Sequence, residues 1–218
     1  MSVWFAIPSA CYSQAKINLP KWKAKGYKVA VYLTTGKPYG KINADLIQTG
    51  AYFGWPKTSN LIAKFVIKTI PDCTIVIAGG DDMFPLPTDP DAGIIEKQFI
   101  QHFKGTMGVM QPTGDLWMNR VAERICGSPW LGKQFIRVAY KGMGPFWPEY
   151  NHFYADEELK VVTAKSKLLW QREDLTHYHN HWTRNHQQSP IHMEQAQQSW
   201  ETDGQLFVAR RKLHWPGW

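Results

Sequence analysis

Two adjacent aspartates, Asp81 and Asp82, follow the apolar run "CTIVIAGG" at 73–80. Side by side at the end of a buried strand, the two carboxylates lose water and repel one another, so a cation is called for. A hard divalent ion such as Mg²⁺ or Mn²⁺, bridging carboxylate and diphosphate oxygens, meets that need. A turn or a helix cap is the competing reading. Further on, "ADEEL" (155–159) places Asp156, Glu157 and Glu158 at the start of a helix. Acids there complement the helix dipole; one turned into a cleft could instead take a proton from an attacking hydroxyl. "THYHNHW" adds His177, His179 and His181, spaced by two, so that an extended chain presents all three on one face. Such a face can deliver imidazole to a metal or be no more than a surface stripe.

The elements that must position these groups follow from periodicity. "VWFAIPSA" (3–10) reads as a buried strand, and "YSQAKINLPKWKAKG" (12–26) as a helix with a turn or kink at Pro20 and a stop at Gly26. "YKVAVYLTTG" (27–36) is a second strand. "PKTSNLIAKFVIKTIPD" (56–72) has Pro56 in a helix-opening position and apolar residues at helical spacing. A strand over 73–85, a helix near 94–104 and a strand at 106–112 continue the alternation. This is the grammar of an open α/β sheet with its ligand site at the carboxyl ends of the strands. One domain is expected: 1–112 forms a nucleotide half, 113–182 an acceptor half, and 183–218 an extension packed on the same body.

Composition narrows the class. The chain has 218 residues, 44% hydrophobic and 20% charged, as in ordinary globular proteins. No apolar run of about 18 residues is present, and "MSVWFAIPSA" lacks a signal peptide's charged leader, so a cytoplasmic protein without membrane contact is expected. Cys11, Cys73 and Cys126 match no disulfide or zinc spacing and read as reduced thiols. Lys and Arg number 25 against 18 Asp and Glu, a net +7 that favours a polyanionic partner unless the excess is simply solvated surface. Eleven tryptophans include Trp130 and Trp147, suited to stacking on a sugar or to packing.

In combination, strand-end "DD", then "GSPW", then "GPFWPEYNHFYADEEL", then "HNH" resembles the nucleotide-sugar glycosyltransferases of the GT-A fold, in the inverting family-2-like group and its compact phage and bacterial forms. The resemblance spans residues 2–182 and implies a Rossmann-like α/β domain, a mostly parallel central sheet flanked by helices. It assigns Pro8 and Ser9 to the nucleotide loop, Asp81 to ribose or metal, and Asp82 to the metal. A strict DxD motif is absent, which leaves the division between the two aspartates open. Asp156 falls on the catalytic base, Glu158 on a supporting acid, and His179 or His181 on the late metal ligand.

Lys57 and Arg172 are candidates to offset the diphosphate charge, or are simply surface charges. The implied cofactors are Mn²⁺ or Mg²⁺ with a UDP-sugar donor. Compact phage enzymes of this kind sugar-modify hydroxymethylated pyrimidines, which makes DNA the favoured acceptor, with the basic tail "ARRKLHWPGW" (209–218) as its contact. A glycan or small-molecule acceptor, a nucleic-acid-binding module without catalysis, and a nucleotidyltransferase are the alternatives.

Overall fold

The structure is a computed structural model that describes residues 1–35, 40–115, 123–184 and 191–218. Gly36, the expected end of the second strand, lies outside them. β1 (Ser2–Ser9) pairs in parallel with β2 (Lys28–Thr34) on one side and β4 (Cys73–Ile77) on the other, and β2 pairs with β3 (Leu46–Gly50). Beyond β4, β7 (Trp130–Gly132) runs antiparallel to both β4 and β6 (Val109–Pro112), and β8 (Leu169–Arg172) lies parallel to β6 at the edge. The order is β3-β2-β1-β4-β7-β6-β8, seven strands with one reversed. This is the mixed, mostly parallel α/β sheet that the alternation of strand and helix patterns demands.

Strands buried on both faces need helices on both. α1 (Tyr12–Ala24) and α3 (Ala92–Phe103) cover one face around Phe5, Trp22, Ile75 and Phe99. α2 (Trp55–Thr69), α4 (Lys133–Gly142) and α5 (Ala155–Lys165) cover the other around Ile62, Val66, Phe135, Ile136 and Leu159. In α2 the residues Ile62, Ala63, Val66 and Ile67 are buried, as their spacing of three to four requires.

Two local expectations differ from the structure, and one open choice is decided by it. Pro20 lies inside α1 instead of turning the chain. The helix persists because Leu19 and Trp22 are buried beside it and the Trp22 indole donates to the Met83 carbonyl at 2.9 Å. The single strand expected over 73–85 divides. β4 stops at Ile77, and the chain turns through the Gly-Gly-Asp-Asp segment into β5 (Met83–Pro85), which pairs with β9 (His177–His179) in a separate two-stranded sheet. Of the two readings of Trp130, the structure takes packing: it is a core residue of β7, 1% exposed, with its indole donating to His177 Nδ1 at 3.2 Å.

Gly54 shows how closely the layers meet at the head of α2. Its φ is +89°, and a Cβ there would lie 2.2 Å from the Asn151 carbonyl oxygen, whose acceptor site is already used by the Trp55 N–H at 3.0 Å. Gly54→Ala therefore should lower unfolding stability by about 1–3 kcal/mol, the usual cost of forcing a side chain into that backbone region. An unchanged urea midpoint would show that the 54/151 contact yields freely.

Candidate functional site

All parallel strands, together with β6 and β8, end at one edge of the sheet, so Ser9, Ile77, Pro112 and Arg172 point their following loops the same way. β7 enters from that edge, with Trp130 opposite Ile77, and brings residues 126–129 there. Asp81 sits in the turn after β4, 8% exposed. Its Oδ2 accepts the Ser9 hydroxyl at 2.8 Å and the N–H groups of Ala10 and Cys11 at 3.0 and 2.8 Å. Burial pushes its carboxyl up to about 6, against those donors and with the Asp82 charge adding to the rise. Asp81 thus latches the loop after β1 to the turn after β4, which brings the predicted Pro8, Ser9 and Asp81 to one place.

Asp82 is aimed differently. Its Oδ2 lies 3.1 Å from His179 Nε2, across 97 residues of chain, and its carbonyl accepts the Asn180 N–H at 2.9 Å. The β5–β9 pairing that sets Met83 opposite His179 creates this contact. Burial alone would raise the Asp82 pKa; the His179 charge and hydrogen bond, helped by His181, outweigh it and hold the group below its ordinary value.

The His181 ring stands 5.0 Å from that of His179. Burial, then the His179 charge, push His181 down to about 4, against the opposing pull of Asp82, so it is neutral at physiological pH. Its Nδ1 accepts the Thr183 N–H at 3.3 Å and lies 2.8 Å from the Thr183 hydroxyl, so the ring proton sits on Nε2, and a cation held there would have to displace it. His177 does not share the site. It is stacked against Trp130 and edge-on to Trp22, and burial pushes it down to about 3.

Among the described residues no group of three or more His, Cys, Asp or Glu side chains forms a cage for a metal ion. Asp82, His179 and His181 could supply part of the donor set of an ion whose remaining ligands came from phosphate and water.

Asp156 lies in the first turn of α5, half-buried, with the Cys126 N–H on its carbonyl at 3.2 Å. That bond connects it to the 126–129 segment, which reaches the head of β4 where Ala78 N–H donates to the Pro129 carbonyl at 3.0 Å. Burial, then the Glu157 charge, push its carboxyl up to about 6, the range of a working general base.

Two predicted residues are corrected. Glu158 is fully buried, and both oxygens are engaged: Oε1 by the Tyr140 hydroxyl at 2.7 Å and Arg210 Nη2 at 2.7 Å, Oε2 by the Tyr150 hydroxyl and Arg210 Nε, each at 2.8 Å. It orients no acceptor; it anchors α7 (Trp200–Lys212), the helix after α6 (Ile191–Gln197), to the domain. Arg172 lies three strand positions from β4, roughly 14 Å at about 4.8 Å per strand. Its fork is held by Asp174 at 2.7 and 2.6 Å and by Gln98 at 2.9 Å, so it is no free diphosphate clamp. The basic tail is corrected in part: Arg211, Lys212 and His214 are exposed, whereas two of its residues turn inward. Arg210 is 4% and Trp215 3% exposed, the Arg210 guanidinium stands 3.6 Å over Trp147, and the Trp218 indole donates to Ser166. Lys57 remains exposed in the first turn of α2, over the Phe53 ring at 5.2 Å.

Other residues reach the site without having been expected there. Asp115 accepts the His179 N–H at 3.4 Å and pairs with Arg184 at 2.5 Å, and Arg184 lies over Tyr178. The signal was available: "PTGD" (112–115) repeats the strand-glycine-aspartate pattern of "AGGD" (78–81). Trp55 donates its indole N–H to the Gly79 carbonyl at 3.1 Å and its backbone N–H to Asn151. Asp203, 1% exposed on α7, accepts the N–H groups of Asn151, His152 and Phe153 at 3.0, 2.9 and 2.9 Å. Asp203, Asn151, Trp55 and Gly79 form a continuous chain of contacts from the C-terminal helix to the aspartate turn.

No family model matches the chain, and no curated protein matches it. Among solved structures, the catalytic domain of Drosophila beta1,4-galactosyltransferase 7 in complex with xylobiose superposes with a TM-score of 0.53 at 12% identity, covering 90% of this chain and 79% of that one. A mutant of the same enzyme in complex with manganese, UDP-Gal and xylobiose gives 0.50 at 9% identity over the same shares. At these identities the likeness is one of fold. The chain has the GT-A fold of those enzymes.

Arg210→Ala leaves the Glu158 carboxylate buried and deprived of its cation. A loss of about 3–5 kcal/mol in unfolding free energy is expected. Replacing both partners with apolar residues, Glu158→Leu with Arg210→Met, should recover part of it. A single variant as stable as the parent protein would show that the pair is not an anchor.

Proposed function

We propose that the chain is a metal-dependent inverting glycosyltransferase that moves a sugar from a nucleoside diphosphate sugar, a UDP-sugar, to a hydroxyl. The observation that carries this reading is the Asp82–His179 contact at the carboxyl edge of a GT-A sheet. Ligands bind at that edge in open α/β folds. The manganese and UDP-Gal held by the Drosophila enzyme support the choice of metal and donor. Pro8, Ser9 and Asp81 floor the nucleotide pocket in this reading, and Lys57 stands at its rim. Asp82, His179 and His181 hold the cation. Bound there, Mn²⁺ or Mg²⁺ supplies Lewis-acid stabilisation to the departing diphosphate.

The protein's own part is positional and protonic. Asp156, ionised above about pH 6, takes the proton of the acceptor hydroxyl. As the new C–O bond forms on one face of the anomeric carbon, the bond to the diphosphate breaks on the other, its electron pair leaves with the phosphate, and the centre inverts.

For the acceptor, the +7 net charge supports DNA carrying a 5-hydroxymethyl pyrimidine. The xylobiose bound in both Drosophila complexes supports a second reading, a saccharide acceptor. Among the described residues no helix is long and apolar enough to cross a membrane.

Incubation with UDP-sugars and Mn²⁺ tests the first claim: metal-dependent release of UDP is expected from the parent protein and not from Asp82→Asn. Asp156→Asn should slow transfer by about 10²–10⁴-fold while donor binding persists, the range attributed to a general base. The rate of the parent protein should rise with pH to a plateau with a midpoint near 6, because the base must be unprotonated. A rate that falls as pH rises through 6 would remove Asp156 from that role. Sugar appearing on hydroxymethylated DNA and not on oligosaccharides selects the first acceptor, and the reverse selects the second.

A further inference from the structure

Arg210 of the C-terminal tail is buried against Glu158, and besides the exposed Arg211 and Lys212 the helix layer of α2 and α4 carries a dense share of the positive charge. α2 contains Lys57, Lys64 and Lys68, and α4 contains Lys133, Arg137 and Lys141; neither helix contains an acid. In α2 the three lysines are spaced seven and four apart, so at 3.6 residues per turn they form one stripe within about 40° of arc. Lys57, Lys64 and Lys68 are exposed, as are Arg137 and Lys141, with Lys133 half-buried.

Two contacts fix how the helices lie. Lys64 Nζ donates to the Gly142 carbonyl at 2.8 Å, and Lys133 Nζ donates to the Pro71 carbonyl at 2.6 Å. The end of α4 therefore meets the middle of α2, and its start meets the end of α2. α4 runs antiparallel to α2, with Lys133 and Arg137 on its helical part and Lys141 past the break at 139–141, where the backbone leaves the helix. Among the described residues none of the six is ion-paired, whereas Lys23 and Lys25 on the opposite layer pair with Asp45 and Asp91.

From Lys57 to Lys68 the ridge is about 16 Å long at 1.5 Å per residue. Duplex DNA presents a negative charge about every 1.7 Å along its axis. The ridge also begins at the rim of the candidate site, two residues from Trp55, whose indole holds the Gly79 carbonyl. We infer that the α2–α4 ridge is a docking surface for the phosphate backbone of duplex DNA. The inference rests on the transferase reading for its purpose, presenting a duplex to the carboxyl edge, and not for the binding itself.

A labelled duplex titrated by fluorescence anisotropy tests it. Affinity of the parent protein should fall steeply between about 50 and 200 mM salt, and each lost phosphate contact should flatten the slope by about 0.9. The variant Lys64→Gln, Lys68→Gln, Arg137→Gln should bind at least about tenfold more weakly at about 100 mM salt, with a slope shallower by about 2 to 3. A control on other elements, Lys16→Gln, Lys28→Gln, Lys97→Gln, loses the same three charges from the same +7 and should change affinity less than about threefold. Equal loss in both variants, or duplex binding by the parent protein that is absent or indifferent to salt, overturns the ridge; acidic vesicles bound in place of DNA do so as well.

Metal-dependent UDP-sugar hydrolysis, measured without DNA, separates the two claims. Hydrolysis retained in both variants with only the ridge variant failing on DNA supports both claims. Hydrolysis absent from the parent protein while the binding pattern holds removes the transferase and leaves the ridge.

Discussion

A carboxylate taken out of water must be given hydrogen-bond donors or a cation, and among the described residues several buried or half-buried acids meet that requirement by reaching across the sequence, four of them holding the site and its scaffold. Asp81 gathers the Ser9 hydroxyl and two N–H groups from the start of α1. Asp82 takes His179. Glu158 takes Arg210 and two tyrosines, and Asp203 takes three consecutive N–H groups at 151–153. Removing any one of these donor sets would strand a charge, so the contacts are mutually obligatory with the fold.

The four acids divide between two tasks. Glu158 and Asp203 are closed: their donors come from the protein and hold the C-terminal helix against the loop before α5. Asp82 is open in a different sense, since its partner is an imidazole that can also serve a cation, and a second neutral imidazole stands beside it. Between these groups, Trp55 carries the geometry of the 151–153 loop to the Gly79 carbonyl. The loop that leads into Asp156 and the turn that bears Asp82 are thereby held by one set of contacts, which is what a reaction between a donor and an acceptor needs from its scaffold.

The basic residues are sorted by the same logic. Arg172, Arg184 and Arg210 lie over aromatic rings and are paired with acids, which suits the planar guanidinium. The lysines of α2 stay at the surface, where an ammonium keeps its water. Charge count alone cannot distinguish these groups: in the terminal run Arg210 and Trp215 are buried while their neighbours Arg211 and Lys212 are exposed.

The local sequence determined the alternation of strands and helices, the carboxyl-edge placement of Asp81 and Asp82, and the start of α5 at the 155–158 acids, because apolar period and backbone preference act over a few residues. It also held, unused, the strand-glycine-aspartate signal at Asp115. Which polar groups meet was decided only in three dimensions. The β5–β9 pairing brings His179 to Asp82 and sends His177 into the core, although the two histidines are two residues apart and chemically identical. Glu158 and Asp156 look interchangeable in "ADEEL", yet helical rotation turns one toward Arg210 and the other toward Cys126. The partner of a buried charge is chosen by strand register and helix packing across tens of residues, and no local pattern encodes that distance.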